Sequence, residues 1–239
     1  MTSKELIADI RTYCEAHADE ALVKKYSRYF KGEYNAYGLT QQLLEDKVRQ
    51  LQEDGGVSLE LMLEAAPELI AAPKYEEASF VFRMLDINKK QYNREVFDRI
   101  ATWYGVGIRN WAHADVLGMM ILPVFLEKGI VEPEDFRPWL SAENPFQRRS
   151  VPVTFIKHIK KHHEVIEPFF AFLEPLMSDP IREVHQGIGW YLREAWKLTP
   201  EPTEAFLLKW KETAARLIFQ YACEKMTKEK KELFRRSKK

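Results

Sequence analysis

The sequence predicts an all-α protein whose paired helices stack into an α-solenoid. Three observations carry that expectation. Apolar residues recur with a period near 3.6 in nearly every segment, and no stretch alternates as a half-buried strand would. Ten glycines in 239 residues and a 30% charged fraction favour helix over sheet. In the second half, a pattern of helix, Asx-Pro turn and helix returns after 35 residues, from Asn144-Pro145 to Asp179-Pro180.

The elements follow in order. Leu6, Ile7 and Ile10 open the first helix, and residues 22–30 make the second. Residues 32–38 form a tyrosine-rich turn between Gly32 and Gly38. Residues 43–51 are helical and stop at Asp54-Gly55-Gly56, a strong breaker. Residues 59–69 follow, with Pro73 as punctuation, and residues 77–85 and 96–104 make the next pair. Farther on, residues 134–140 lead through Asn144-Pro145 into a helix with Arg148, Val153 and Ile156. Residues 169–176 lead through Asp179-Pro180 into a helix with Arg182, Val184 and Ile188. Asn or Asp before Pro starts a helix, because the side chain accepts an orphan N–H and Pro suits the first turn. The period is HEAT-like. One helix pair cannot bury its own apolar face, so neighbours stack and leave a concave face. The expected organisation is a HEAT-like repeat domain over residues 1–224 and a basic tail over 225–239.

Charge and cysteine usage narrow the function classes. Lys plus Arg and Asp plus Glu both number 36, so the chain is no polycation. Any nucleic-acid surface must be a local patch balanced elsewhere. Cys14 and Cys223 lack a CxxC context and read as reduced structural thiols of a cytosolic protein. The first residues open an amphipathic pattern without a signal-peptide core, and no apolar run is long enough to cross a bilayer. A monomer is expected.

Chemistry concentrates in three stretches: residues 110–115, 146–149 and 189–194. Trp111 and Asp115 are four apart and share a helix face. Arg149 lies 38 positions beyond Trp111, and Trp190 lies 41 beyond Arg149. Both gaps approximate one helical repeat, so the four residues are expected on one ridge. Indole faces attract cations, and an alkylated purine is cationic. A carboxylate between indoles can stabilise an oxocarbenium-like sugar, as in glycoside hydrolysis. Arginine clamps phosphate oxygens. The bland alternative is a core Trp with a solvent-facing Asp. Arg148, beside Arg149, adds positive charge or is a solvated helix residue. Between Arg148 and His163, Lys157, Lys160 and Lys161 are uninterrupted by acid and suit a phosphate backbone. The tail from Lys225 to Lys239 is also basic, a composition that is usually solvated. His158 and His162 are four apart, but with no third ligand no metal site is expected. Gly105 and Gly107 lack the third glycine of a dinucleotide loop, and no cofactor is expected.

With these residues in place, the chain resembles the DNA alkylation repair family, the HEAT-like repeat DNA glycosylases of the AlkD type. The resemblance runs over nearly the whole chain. Tyr26-Ser27-Arg28-Tyr29-Phe30-Lys31 followed by Tyr37-Gly38-Leu39 resembles the family's first hairpin. Asn110-Trp111 to Asp115 matches its Trp-x-x-x-Asp, and Phe146 to Arg149 its aromatic-x-x-Arg. Ile188-Gly189-Trp190-Tyr191-Leu192-Arg193-Glu194 matches its most specific motif. The chain departs from the family pattern at Ala112, at Phe146 and over residues 40–44.

The resemblance implies Asp115 as the catalytic carboxylate, with Trp111 and Trp190 against the nucleotide. It implies Arg149 on the DNA backbone and Tyr29 near the same surface. The implied reaction is hydrolysis of the N-glycosidic bond of N3- or N7-alkylated purines in duplex DNA, without base flipping, metal or cofactor. The competing expectations are a HEAT-like protein that binds distorted or branched DNA without catalysis, and a HEAT scaffold for protein partners.

Overall fold

A computed structural model describes residues 1–32, 34–53 and 56–237. Among these residues every regular element is helical. The chain divides into two units, Met1–Arg109 and a second that begins at Asn110.

The first unit holds α1 (Ser3–Ala16), α2 (Glu20–Ser27), α3 (Gln41–Glu53), α4 (Leu59–Ala71), α5 (Tyr75–Ile87) and α6 (Arg94–Val106). Helix starts are chemically marked. Thr2 and Glu5 close a capping box on α1. Asp19, Ser58 and Asn93 each accept a first-turn N–H of α2, α4 and α6. The core is Leu6 and Ile10 of α1, Met62 and Leu69 of α4, and Phe80 of α5, all fully buried. Of the turn expected at 32–38, Glu33 lies outside the described residues, and the second helix ends at Ser27, short of residue 30. Gly38 has φ +90°, and a Cβ there would stand 2.1 Å from the Asp19 carbonyl oxygen. The buried Glu76 carboxylate accepts the N–H groups of Tyr37, Gly38 and Leu39 at 2.7–3.1 Å. That bond set fixes the turn against α5. Of the breaker expected at 54–56, Asp54 and Gly55 lie outside the described residues.

The second unit opens with α7 (Trp111–Val116), a π turn over Leu117–Ile121, and α8 (Leu122–Glu127) in one continuous run. Pro123 explains the π turn: it lacks an N–H and its ring crowds the carbonyl four residues back. Next come α9 (Pro145–Ile159), α10 (Ile166–Leu173), α11 (Arg182–Leu198), α12 (Pro200–Trp210), α13 (Arg216–Ala222) and α14 (Lys228–Glu232). Helix α9 packs on α7 and the π turn on one side and on α11 on the other, and α11 packs on α13. This layering is the stacked-helix architecture the sequence predicts. Fully buried Phe136 and Phe155, with Phe169, fill the space beneath α9.

Two local expectations need correction. The leading helix of the first repeat is 3-10, over Pro133–Ser141, and that of the second is α-helical as α10 and turns 3-10 only over Glu174–Ser178, where Pro138 and Pro175 interrupt α-type bonding. Asn144 does cap α9, accepting the Phe146 N–H at 2.8 Å. Asp179 does not cap α11, whose N-cap is Ile181. Its carboxylate accepts the Ile181 N–H at 2.8 Å, just ahead of the helix, and also meets Arg148 at 2.6 Å.

The segment read as a basic tail is packed as far as it is described. Phe234 and Met226 are buried. Lys225, Lys230 and Arg235 form ion pairs with Glu224, Glu204 and Glu232. Arg236 donates to the Ala214 carbonyl. Lys238 and Lys239 lie outside the described residues. Both cysteines are buried and unpaired, and burial pushes their thiols up to about 12 for Cys14 and about 11 for Cys223. Neither is a thiolate near neutral pH.

Candidate nucleic-acid site

Asn110 starts α7 by accepting the His113 N–H at 2.8 Å. Trp111 is therefore the first helical residue, 37% exposed, and Asp115 lies one turn on, with Val116 between it and the π turn. Turns of this kind cluster at functional sites, where they re-aim a helix.

Arg149 of α9 grips Asp115 with two bonds, Nε and Nη2 each 2.8 Å from a carboxylate oxygen. Its Nη1 donates to the Glu183 carbonyl at the start of α11, at 2.7 Å. One side chain thus ties three successive layers. Arg149 is 6% exposed and Asp115 16%, so water screens the pair poorly. Burial raises the Asp115 carboxyl above the ordinary aspartate value, against the opposing pull of Arg149. A guanidinium has five N–H donors, and three are used here.

The true step between layers is 34 residues, from Asp115 to Arg149 and from Arg149 to Glu183. The 38- and 41-residue gaps noted in the sequence exceed this step by four and seven, one and two helical turns. Trp111 accordingly stands one turn before Asp115. Trp190 stands two turns after Glu183, on the stripe of α11 that also holds Gly187. Trp190 is half-buried.

Gly187 makes the arrangement possible. A Cβ there would fall 3.0 Å from the Arg149 Cγ and 3.2 Å from its carbonyl oxygen. Sequence reasoning gave this glycine no role, although its spacing from Gly189 was visible. It also missed the π turn, whose signal was Pro123, and the backbone carbonyl of Glu183, which no sequence pattern marks.

The other expected residues fall into different settings. Arg148 is neither a free cation nor a solvated helix residue. It binds Asp179 with both Nε and Nη2 and donates to the carbonyls of Ala142 and Glu143. Lys157 and Lys160 are exposed and, among the described residues, form no ion pair. Lys161 pairs with Glu127 at 2.9 Å on the surface, a contact worth at most about 1 kcal/mol. The His158 ring stacks on His162 at 4.5 Å and nears Phe169. Burial lowers the His158 pKa. Among the described residues no three His, Cys, Asp or Glu side chains cluster as metal ligands. Tyr29 belongs to the first unit, 57% exposed, with the Arg28 guanidinium 5.0 Å from its ring centre.

A family model described as DNA alkylation repair enzyme matches residues 10–226. No curated protein matches the chain. Among solved structures, one described as a predicted DNA alkylation repair enzyme from Enterococcus faecalis is 16% identical, with a TM-score of 0.72. The match covers 89% of this chain and 98% of that one. At that identity the likeness speaks for the fold. Among the described residues, no helix is long and apolar enough to cross a membrane.

Proposed function

We propose a function from one premise: the chain belongs to the DNA alkylation repair enzyme family. It is a DNA repair glycosylase that hydrolyses the N-glycosidic bond of N3- or N7-alkylated purines in duplex DNA. The observation that carries this reading is a desolvated carboxylate, Asp115, one turn from an exposed indole.

A cationic purine is already a good leaving group. As the bond to the sugar breaks, positive charge moves from the base to the deoxyribose. A carboxylate in a poorly screened site stabilises that charge more than it would in water, and the same group can orient the attacking water. Trp111 and Trp190 offer faces to cation and sugar. Arg149 holds the Asp115 oxygens in one orientation, and a guanidinium suits a phosphate beside the lesion. Lys157, Lys160 and Lys161 extend the contact with the backbone.

Duplexes with N7-methylguanine, N3-methyladenine or uracil test the reading through the free base released. The methylated purines should be released. Uracil should not, because none of these residues is placed to protonate a poor leaving group in a closed pocket. Asp115→Asn should lower release about a hundredfold. Efficient uracil excision, or an Asp115→Asn enzyme as fast as wild type, would rule the mechanism out.

One observation favours a second reading. The bidentate ion pair neutralises Asp115 within the fold, which suits a protein that binds distorted DNA without cutting a bond. Tight duplex binding with no base released from any lesion would select it.

A further inference from the structure

The first unit contains an open cavity of about 470 Å³ that the proposed glycosylase site does not use. Its walls are α2, residues 34–37 of the tyrosine-rich segment, and Lys74 at the start of α5. Glu20, Lys24, Tyr34, Asn35, Tyr37 and Lys74 are its polar contributors, with Val23 beside them. The volume lies within the range of small-ligand sites.

The donors in this wall are unevenly used. Lys74 donates to the Ala36 carbonyl and lies 4.9 Å from the Tyr37 ring centre. Tyr37 donates to Glu77. Among the described residues, the Lys24 ammonium, the Tyr34 hydroxyl and the Asn35 side-chain amide make no hydrogen bond or ion pair. The Tyr34 ring is held in place, stacked on Phe30 at 4.5 Å and against Tyr75 at 5.4 Å. Burial pushes its phenol pKa up, so the hydroxyl remains a donor at neutral pH. A rigid wall with unused donors is a preorganised site.

The charge around it selects an anion. The wall itself holds two lysines, Lys24 and Lys74, against one carboxylate, Glu20, and Lys25, Arg28 and Lys31 follow Lys24 in the chain. Helix α2, which carries most of these, buries none of its side chains, so the cations are spread over its surface. Two lysines in the wall suit a phosphate. The Asn35 amide offers the donor and acceptor that match a base edge. The apolar surface of Val23 and the tyrosines suits a flat ring.

We propose that this cavity binds one nucleotide unit, a purine or pyrimidine ring with its 5′-phosphate, through Lys24, Tyr34 and Asn35. The unit comes from unpaired DNA or from free mononucleotide, and one set of measurements separates these sources. The site is independent of Asp115 and does not rest on glycosylase activity.

The test titrates the full chain with dGMP, deoxyguanosine, inorganic phosphate, and duplexes with or without a single bulged nucleotide. A free-nucleotide site binds dGMP at least about tenfold more tightly than deoxyguanosine or phosphate. A DNA-borne site leaves dGMP weak and instead favours the bulged duplex. In either case Lys24→Ala and Asn35→Ala should remove the preference. Neither side chain makes a hydrogen bond or ion pair among the described residues, and Asp115→Asn should leave the preference intact. Phosphate bound as tightly as dGMP without a bulge preference reduces the site to a simple anion patch and overturns the proposal. So does the absence of both preferences, or a preference that survives both substitutions.

Discussion

At the scale of single residues, the Asp115–Arg149 pair decides what can be tested. Because burial raises the Asp115 pKa, the folded chain favours the protonated carboxyl more than the unfolded chain does. The sign follows. As pH climbs from 3.8, the ordinary value, through the raised one, the unfolded state releases its proton first, and stability falls across that window. Activity runs the other way, since the proposed chemistry needs the charged form. Base release should therefore show an acid limb displaced above pH 3.8. Arg149→Gln removes the pull that opposes burial, so the limb should move to higher pH in that variant. The check is a pH profile of kcat for both proteins on N7-methylguanine duplex, and a limb in the same place would separate Arg149 from the ionisation of Asp115. The same variant should cost about 3 kcal/mol of stability, because it leaves a carboxylate in a poorly hydrated place without its counterion. Asp115→Asn strands the guanidinium in the same way, so its activity loss should be read beside its unfolding midpoint.

At the scale of elements, the close approach of α9 and α11 is the feature on which the pair depends. Gly187→Ala places a methyl 3.0 Å from the Arg149 Cγ, closer than carbon contacts normally allow. The guanidinium should shift, with base release falling by about tenfold or more while the fold survives. Measurement of kcat beside the melting temperature separates the two effects. Arg148 performs a structural task beside it: it closes the loop of Ala142 and Glu143 onto Asp179. Arg148→Ala should lower stability by about 3 kcal/mol yet leave the salt dependence of DNA binding unchanged. A reduced salt slope in that variant would return Arg148 to the phosphate contacts.

The same two elements show how far the sequence could be read. Helical periodicity and the Asn144-Pro145 start were legible because each is a local rule, and both hold in the structure. The placement of Asp115 and Arg149 on facing layers was legible from a spacing near one repeat. Their partnership was not, because the arginine could meet either a phosphate or a carboxylate and spacing does not choose. Asp179 misled for a related reason. Its carboxylate accepts the Ile181 N–H as the local pattern implies, but ahead of the helix, and Arg148, 31 residues away, shares the same group. The role of Gly187 depends on how near two helices approach, which no single segment encodes.

At the scale of the whole molecule, the formal charge of zero means that DNA affinity depends on where cations are left unpaired. The C-terminal stretch is rich in lysine and arginine but is fastened to the second unit by buried Phe234, the Lys230–Glu204 ion pair and the Arg236 bond to the Ala214 carbonyl. Its composition resembles a nucleic-acid tail, and its packing gives it a share in stability. Lys157 and Lys160, by contrast, are exposed without ion pairs among the described residues. Counterion release then sets the expectation. The logarithm of duplex affinity should fall linearly with the logarithm of salt. Lys157→Ala and Lys160→Ala should each reduce that slope by about one if each meets one phosphate. Phe234→Ala serves as the contrast, since it should lower stability by about 3 kcal/mol through a cavity and leave the slope unchanged. The loss should be similar for different base sequences, because a phosphate contact carries no base information. An affinity indifferent to salt, or a slope that responds to Phe234→Ala and not to the two lysines, would move the DNA contact away from the end of α9.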